Sequence, residues 1–146
     1  TLNMKGCALY LINEDTDEFE LAAANGLSEG YLGKGPVSVS RPVAKSLAEG
    51  PMAIYDTQDD PRVQYPEAAK KEGIVSILSV PIYVRGDVIG AMRVYTSDHW
   101  DFTLEDVNFV QALAEIAGMV IDLTRLIKGQ NEYIDVLETL KETREM

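Results

Sequence analysis

Gly73–Ser97 reads GIVSILSVPIYVRGDVIGAMRVYTS. Two long, mostly apolar runs flank Arg85-Gly86-Asp87, the signature of two strands joined by a tight turn. The tripeptide also spells an adhesion motif, but between two such runs it reads as a turn. Side chains alternate along a strand. On the first, Val75, Ile77, Ser79 and Pro81 share one face, and Ser76, Leu78, Val80 and Ile82 share the other. On the second, Ile89, Ala91, Arg93 and Tyr95 oppose Val88, Gly90, Met92 and Val94. One face of the hairpin is therefore apolar apart from Gly90 and, at its end, Ser76. The other carries Ser79, Arg93 and Tyr95. A guanidinium in the middle of an apolar hairpin raises the question of what that face looks into.

The rest of the chain surrounds the hairpin with short elements. Lys5–Asn13 and Glu18–Asn25 read as strands around a polar turn. The glycine-rich segment after them reads as a loop with a short helical turn, which Ser28 caps. Ser40–Gly50 reads as a helix with Pro42 in its first turn and Gly50 at its end. PMAIYD (residues 51–56) is a short strand, TQDDPRVQYP (57–66) a polar loop, and EAAKKEG (67–73) a helix closed by glycine. After the hairpin comes the strongest helix. Thr103 is its N-cap, Glu105 and Asp106 face the helix dipole, and Phe102 with Val107 forms a hydrophobic staple. Two apolar stripes run along it. One is Val107, Val110, Leu113, Ala114, Ala117, Val120, Ile121 and Thr124. The other is Ala112, Ile116, Met119, Leu123 and Leu126. One stripe suits the sheet and the other a further helix, from this chain or a second subunit. Val120, Leu123, Ile127, Gln130, Ile134, Leu137 and Lys141 then follow coiled-coil spacing, against which Gly129 weighs. The alternative is a frayed amphipathic tail.

Totals narrow the function. The 146 residues fit one domain with a sizeable core, and 46% apolar with 25% charged residues is a globular balance. A net charge of −11 argues against nucleic acid and anionic membranes as partners. No apolar run is long enough to span a bilayer, and no signal peptide is visible. The single cysteine, Cys7, leaves no intramolecular disulfide or multi-cysteine metal site, fits a cytoplasmic setting, and reads as a buried, inert thiol. The single histidine, His99, leaves no histidine cluster and reads as a loop residue. No nucleophile–base pair, phosphate loop or metal cluster is found, so no catalytic residue and no metal ligand is assigned.

Taken together, several stretches in register resemble the GAF domain, a small-molecule-sensing module of signalling proteins. They are NGLSEGYL (25–32), VAKSLAEGPMAIYDTQDDPR (43–62), EGIVSILSVPIYVRGDVIGAMRVYTS (72–97) and FTLEDVNFVQALAEIAGMVID (102–122). The resemblance covers about residues 5–128, within a domain set at 1–128. The chain starts at the family's first strand, without its opening helix, and reads as a piece of a longer protein. The resemblance implies an α+β fold: a GAF/PAS-like antiparallel sheet of five to six strands, with the long terminal helix on one face. Small helices and a loop cover a ligand pocket on the other. Residues 129–146 become a helical extension, a coiled-coil linker to an output domain.

In that register Tyr10 and Ala8 fall on the pocket side, and Leu9 and Leu11 on the helix side. The implied pocket residues are Tyr10, Ile54, Asp56, Tyr65, Ile77, Ser79, Arg93 and Tyr95. The implied dimer and relay helix uses Ile116, Met119, Leu123, Leu126, Ile127, Ile134 and Leu137. Each pocket candidate has a plainer alternative. Arg93 either holds an anionic ligand or pairs with Asp56 or Asp59, and the many acids of the chain favour pairing. Tyr10, Tyr55, Tyr65 and Tyr95 either stack on a ligand or are ordinary sheet tyrosines. Asp56, Asp59 and Asp60 either contact a ligand or hydrogen-bond their own turns. Ser79 either donates to a ligand or satisfies a neighbour.

No covalent bilin is expected, because the pocket helices lack a cysteine. The free methionine sulfoxide reductases of this fold use several cysteines, where this chain has one. The NKFDE motif of the cyclic-nucleotide-binding members is absent. Three functions follow. The first is a non-catalytic regulatory sensor, homodimeric through its terminal helices. It binds a small ligand, with an anion among the candidates, and feeds a bacterial sensor kinase, a cyclic-dinucleotide enzyme or a transcriptional activator. The second is a ligand-free dimerisation and relay module. The third, least favoured, is a thiol-dependent reductase.

Overall fold

In the computed structural model, residues 4–13, 15, 18–33, 37–38 and 50–145 are described, apart from the side chains of 37–38, 131–136 and 142–145. The hairpin forms as its sequence dictates. β5 (Ser76–Val84) and β6 (Asp87–Thr96) pair antiparallel, with Val84 opposite Asp87. Arg85 and Gly86 both take positive φ, 52° and 85°. That sign pattern belongs to the two-residue turn whose twist matches flanking strands. Glycine adopts it freely, and Arg85 adopts it at some cost.

β1 (Gly6–Asn13), β2 (Glu18–Asn25), β3 (Val37–Ser38) and β4 (Met52–Ile54) complete a six-stranded antiparallel sheet in the order β3-β2-β1-β6-β5-β4. Three helices lie among the described residues: α1 (Glu29–Leu32), α2 (Pro66–Glu72) and α3 (Leu104–Glu145). The helix expected over Ser40–Gly50 lies, up to Gly50, outside the described residues.

The sheet has a different core on each face. Leu78, Val80, Ile82 and Val94 are buried with Val110 and Ala114 of α3, and Leu9, Met92, Phe102, Val107 and Ile121 pack around them. The other face buries Ala8, Tyr10, Phe19, Ile54, Ile77, Ala91 and Tyr95 with Tyr31, Ala69 and Ile74. The alternation read from the sequence thus holds, with one correction. Ile89, expected beside Arg93, packs on the α3 side. The register slips between Ile82 and Tyr83, so that Gly90 and then Val88 are paired and Ile89 is the extra residue. Such a bulge turns one side chain onto the opposite face. Cys7, expected to be buried, is half-buried.

α3 begins with a reciprocal cap. The Asp106 amide donates to Thr103 Oγ1 at 3.1 Å, and the Thr103 amide donates to Asp106 Oδ2 at 3.0 Å. This is a capping box with aspartate in the glutamate position. Phe102 and Val107 both pack on the α3-side core, as a staple requires. The face on the sheet runs through Val107, Val110, Ala114, Gly118 and Ile121. Gly118 is there because α3 passes so close to β5. A Cβ on it would sit 2.6 Å from the Tyr83 carbonyl oxygen. Val120, expected in this stripe, is 57% exposed. It follows Gly118 by two residues and so lies roughly 200° around the helix. The helix runs unbroken through Gly129, around which a Cβ would meet nothing within 4 Å.

The two glycines of α3 therefore predict opposite outcomes. Gly118→Ala forces helix and strand apart and costs about 1–3 kcal/mol of unfolding free energy, measured by urea titration. Gly129→Ala strengthens the helix locally by about 1 kcal/mol and slows amide exchange around residue 129. The cap carries a pH signature. The Trp100 indole and the Thr103 amide hold the Asp106 carboxyl below its ordinary value of 3.8. A carboxyl depressed by folding adds stability above its unfolded value and loses it as pH falls through the folded value. Asp106→Asn should flatten the acid limb of the stability curve below pH 3.8.

Candidate ligand-binding face

The face turned away from α3 collects most of the polar candidates. Arg93 stands opposite Ser79 on β5 and opposite Ala8 on β1. Its guanidinium carbon lies 5.5 Å from the centre of the Tyr10 ring, a cation–π contact. Tyr10 meets Phe19 edge to face at 6.2 Å. Tyr95, opposite Ile77, meets Tyr31 of α1 edge to face at 5.8 Å. Burial pushes the Tyr31 phenol up to about 12, against the opposing pull of Arg93. Burial also drives Tyr95 strongly upward, again opposed by Arg93. Both phenols are neutral donors at physiological pH.

Two atoms on this face are unsatisfied. The Ser79 hydroxyl is buried with no hydrogen-bond partner among the described residues, and the buried Tyr95 hydroxyl lies beside those of Tyr31 and Tyr10 without a well-formed hydrogen bond to either. Ser79 is 1% exposed and Tyr95 0%. Buried polar groups are nearly always paired, and leaving one unpaired costs about 1–3 kcal/mol. Arg93 is in a similar position. Asp56 and Asp59, its expected alternatives, do not pair with it, and among the described residues it meets no carboxylate. Asp56 pairs instead with His99 (3.2 Å), and Asp60 with Arg62 (2.6 Å). Three polar functions, one of them cationic, thus share a face without conventional partners.

Ile54 and Ile77 are buried in the same core cluster as Tyr10 and Tyr95. Asp56 is placed differently. Its carboxylate accepts from the Gln58 amide at 2.9 Å and meets His99, and both hold it below the ordinary carboxylate range. Tyr65 precedes α2, half-buried, and its hydroxyl receives Gln64 Nε2 at 3.3 Å. Tyr55 is exposed and lies 5.0 Å from the His99 ring.

Tyr31 is the residue that sequence reasoning missed. It sits in a glycine-rich stretch and is aimed by α1, whose Ser28 cap accepts from its amide at 3.2 Å. Glu72 at the end of α2 in turn accepts from the Ser28 hydroxyl and, at 3.0 Å, from its amide. That clasp fixes α1 to α2, and the Ser28 hydroxyl lowers the Glu72 pKa. Two surface depressions, of about 320 and 360 Å³, lie elsewhere, beside the Arg85–Asp122 pair at the hairpin tip.

The two-faced sheet, its order and the terminal helix coincide with a family match: the GAF domain model fits residues 1–122. The chain belongs to the GAF family. The described architecture is similar to a domain described as part of a two-component sensor histidine kinase protein from Sinorhizobium meliloti 1021. The TM-score is 0.76 at 21% identity, over 89% of this chain and 86% of that one. It is similar to the GAF domain/HD domain protein from Geobacter sulfurreducens, with TM-score 0.70 at 21% identity over 86% and 84% of the two chains. A type II free methionine-R-sulfoxide reductase from Thermoplasma acidophilum shares the fold at TM-score 0.61 and 16% identity, over 80% and 78%. No curated protein matches the chain. GAF domains are generally non-catalytic regulatory domains of signalling proteins, and this GAF sheet carries its unpaired polar groups opposite the long helix.

Ser79→Ala and Tyr95→Phe each remove an unpaired buried hydroxyl. Each should leave the thermal midpoint of the ligand-free domain unchanged or raise it. A fall of the size expected for a lost hydrogen bond would mean that the hydroxyls are satisfied.

Proposed function

We propose that this GAF domain is a non-catalytic regulatory sensor for a small anionic ligand held over Arg93, Ser79 and Tyr95. The observation that carries the reading is the pair of orphaned buried hydroxyls beside a guanidinium with no acid among the described residues. A carboxylate or phosphate oxygen supplies the acceptors that all three lack, and a charge-assisted bond to Arg93 adds to them. Tyr10, Tyr31, Ile54 and Ile77 supply apolar and aromatic walls.

The signal leaves through α3. Ile116, Leu123, Leu126 and Ile127 are exposed, and Met119 is 70% exposed. Leu137 continues the exposed series, while the Ile134 side chain lies outside the described residues. We infer that this stripe pairs with its copy in a homodimer and runs on to an output domain. A sensor kinase, a cyclic-dinucleotide enzyme and a transcriptional activator all suit a cytoplasmic setting. The ligand then acts by differential affinity for two helix arrangements. No helix among the described residues is long and apolar enough to cross a membrane.

The reductase reading is weaker. Cys7 is the one cysteine, and it stands opposite Val94, whose side chain packs on the α3 face and not with Arg93.

Native mass spectrometry beside the denatured mass tests the sensor. The expected result is extra mass, lost on denaturation, with Arg93→Ala weakening the affinity at least about tenfold in a ligand titration read by the same spectra, the loss of one charge-assisted contact. A clean mass, both as purified and after incubation with small carboxylates and nucleotides, overturns ligand binding. A clean dimer in that spectrum would favour the relay module.

A further inference from the structure

The loop after β4 and the start of α3 are far apart in sequence and joined by side chains. Ser76, fully buried at the head of β5, donates to the Tyr55 carbonyl at 2.5 Å and accepts from the Trp100 amide at 2.9 Å. One residue on, Asp56 meets His99 at 3.2 Å, and the Tyr55 ring lies against the His99 imidazole at 5.0 Å. Trp100 then donates its indole N–H to Asp106 Oδ2 at 3.0 Å, the same oxygen that closes the α3 capping box. At its other end the string reaches the Arg93 face. Ile54, immediately before Tyr55, is buried in that face's core. The Asp56 carbonyl anchors the loop through the Asp59 and Asp60 amides, and the loop leads on to Val63 and α2, which also pack there.

We propose that Tyr55, Asp56, Ser76, His99, Trp100 and Asp106 form a coupling string that delivers displacement of the β4–α2 loop to the first turn of α3. This deepens the sensor reading, on which its biological use rests, but the coupling itself is a property of the ligand-free domain. Two features separate it from ordinary stabilisation. The Asp56–His99 pair is partly solvent-exposed, His99 more than Asp56, and contacts at the surface add little to global stability. And Asp106 spends one oxygen on both the indole and the helix cap, so the indole cannot shift without disturbing the cap.

Coupling is reciprocal, which gives the test. Amide exchange is measured by NMR on the ligand-free domain. Asp106→Asn, at the helix end, should speed exchange of the Thr57 amide, which is bonded to the Val75 carbonyl across the loop. Asp56→Ala, at the loop end, should speed exchange of the Asp106 and Val107 amides. His99→Phe, which keeps a ring against Tyr55 but removes the nitrogen, should act in the same direction as Asp56→Ala. Effects of about fivefold or more are expected, with exchange at Ala114–Asp122 unchanged. Unchanged exchange at the distant end overturns the string. So does a uniform rise along α3 accompanied by a lower unfolding midpoint, which would make these residues merely structural. Neither result depends on a ligand, so a clean native mass spectrum would remove the sensor and leave this outcome standing.

Discussion

Everything on the ligand-binding face depends on the register of one hairpin. The turn at Arg85-Gly86 fixes Val84 opposite Asp87, and the bulge at Ile89 then shifts the pairing by one residue, so that Ser79 falls opposite Arg93 and Ile77 opposite Tyr95. A slip of one residue would exchange the faces, burying a guanidinium under α3 and turning Leu78, Val80 and Val94 away from it. The apolar α3 side enforces the register, because only one pairing presents it an unbroken hydrophobic surface. The polar side is thereby carried into place by packing energy spent elsewhere. That is how a sheet can hold two hydroxyls without partners: their cost is small against what the opposite face contributes.

Much of this was legible in the sequence, for a physical reason. Strand alternation and helix capping are local rules, so the assignment of Ser79, Arg93 and Tyr95 to one face, the Thr103 cap and the Phe102–Val107 staple could all be read directly, while Tyr10 joined that face only through the family resemblance. Ile89 could not. Its position depends on a bulge, and no residue type announces which of two neighbours will be extra. Val120 was misplaced because apolar character alone defined its stripe. The residue that belongs on the sheet is Gly118, chosen for having no side chain at all. The partners of Asp56 were not legible either, since His99 lies 43 positions away and meets it only after both loops have folded. The absence of an acid beside Arg93 is the same kind of fact. Composition favoured a pair, but the nearby acids were taken by their own turns and by neighbouring cations.

The division of labour between faces also explains why this fold hosts different chemistries. The α3 side is apolar and closely packed, with Gly118 against backbone. The opposite side buries tyrosines and a serine just as fully and leaves Arg93 half-buried among them. Identity near 20% to its structural neighbours is compatible with a common sheet when the constraint is a pattern of polarity and size more than a set of particular residues.

The length of α3 has a mechanical consequence. Its last residue packed on the sheet is Ile121, and from Leu123 to Gln130 every side chain is exposed. The part beyond Asp122 projects roughly 35 Å at the helical rise per residue. A tilt of about 5° at the base moves the far end by roughly 3 Å over that length. The helix is in effect a pointer whose pivot lies on the sheet, and rearrangements at the pivot too small to alter the core are magnified at its tip.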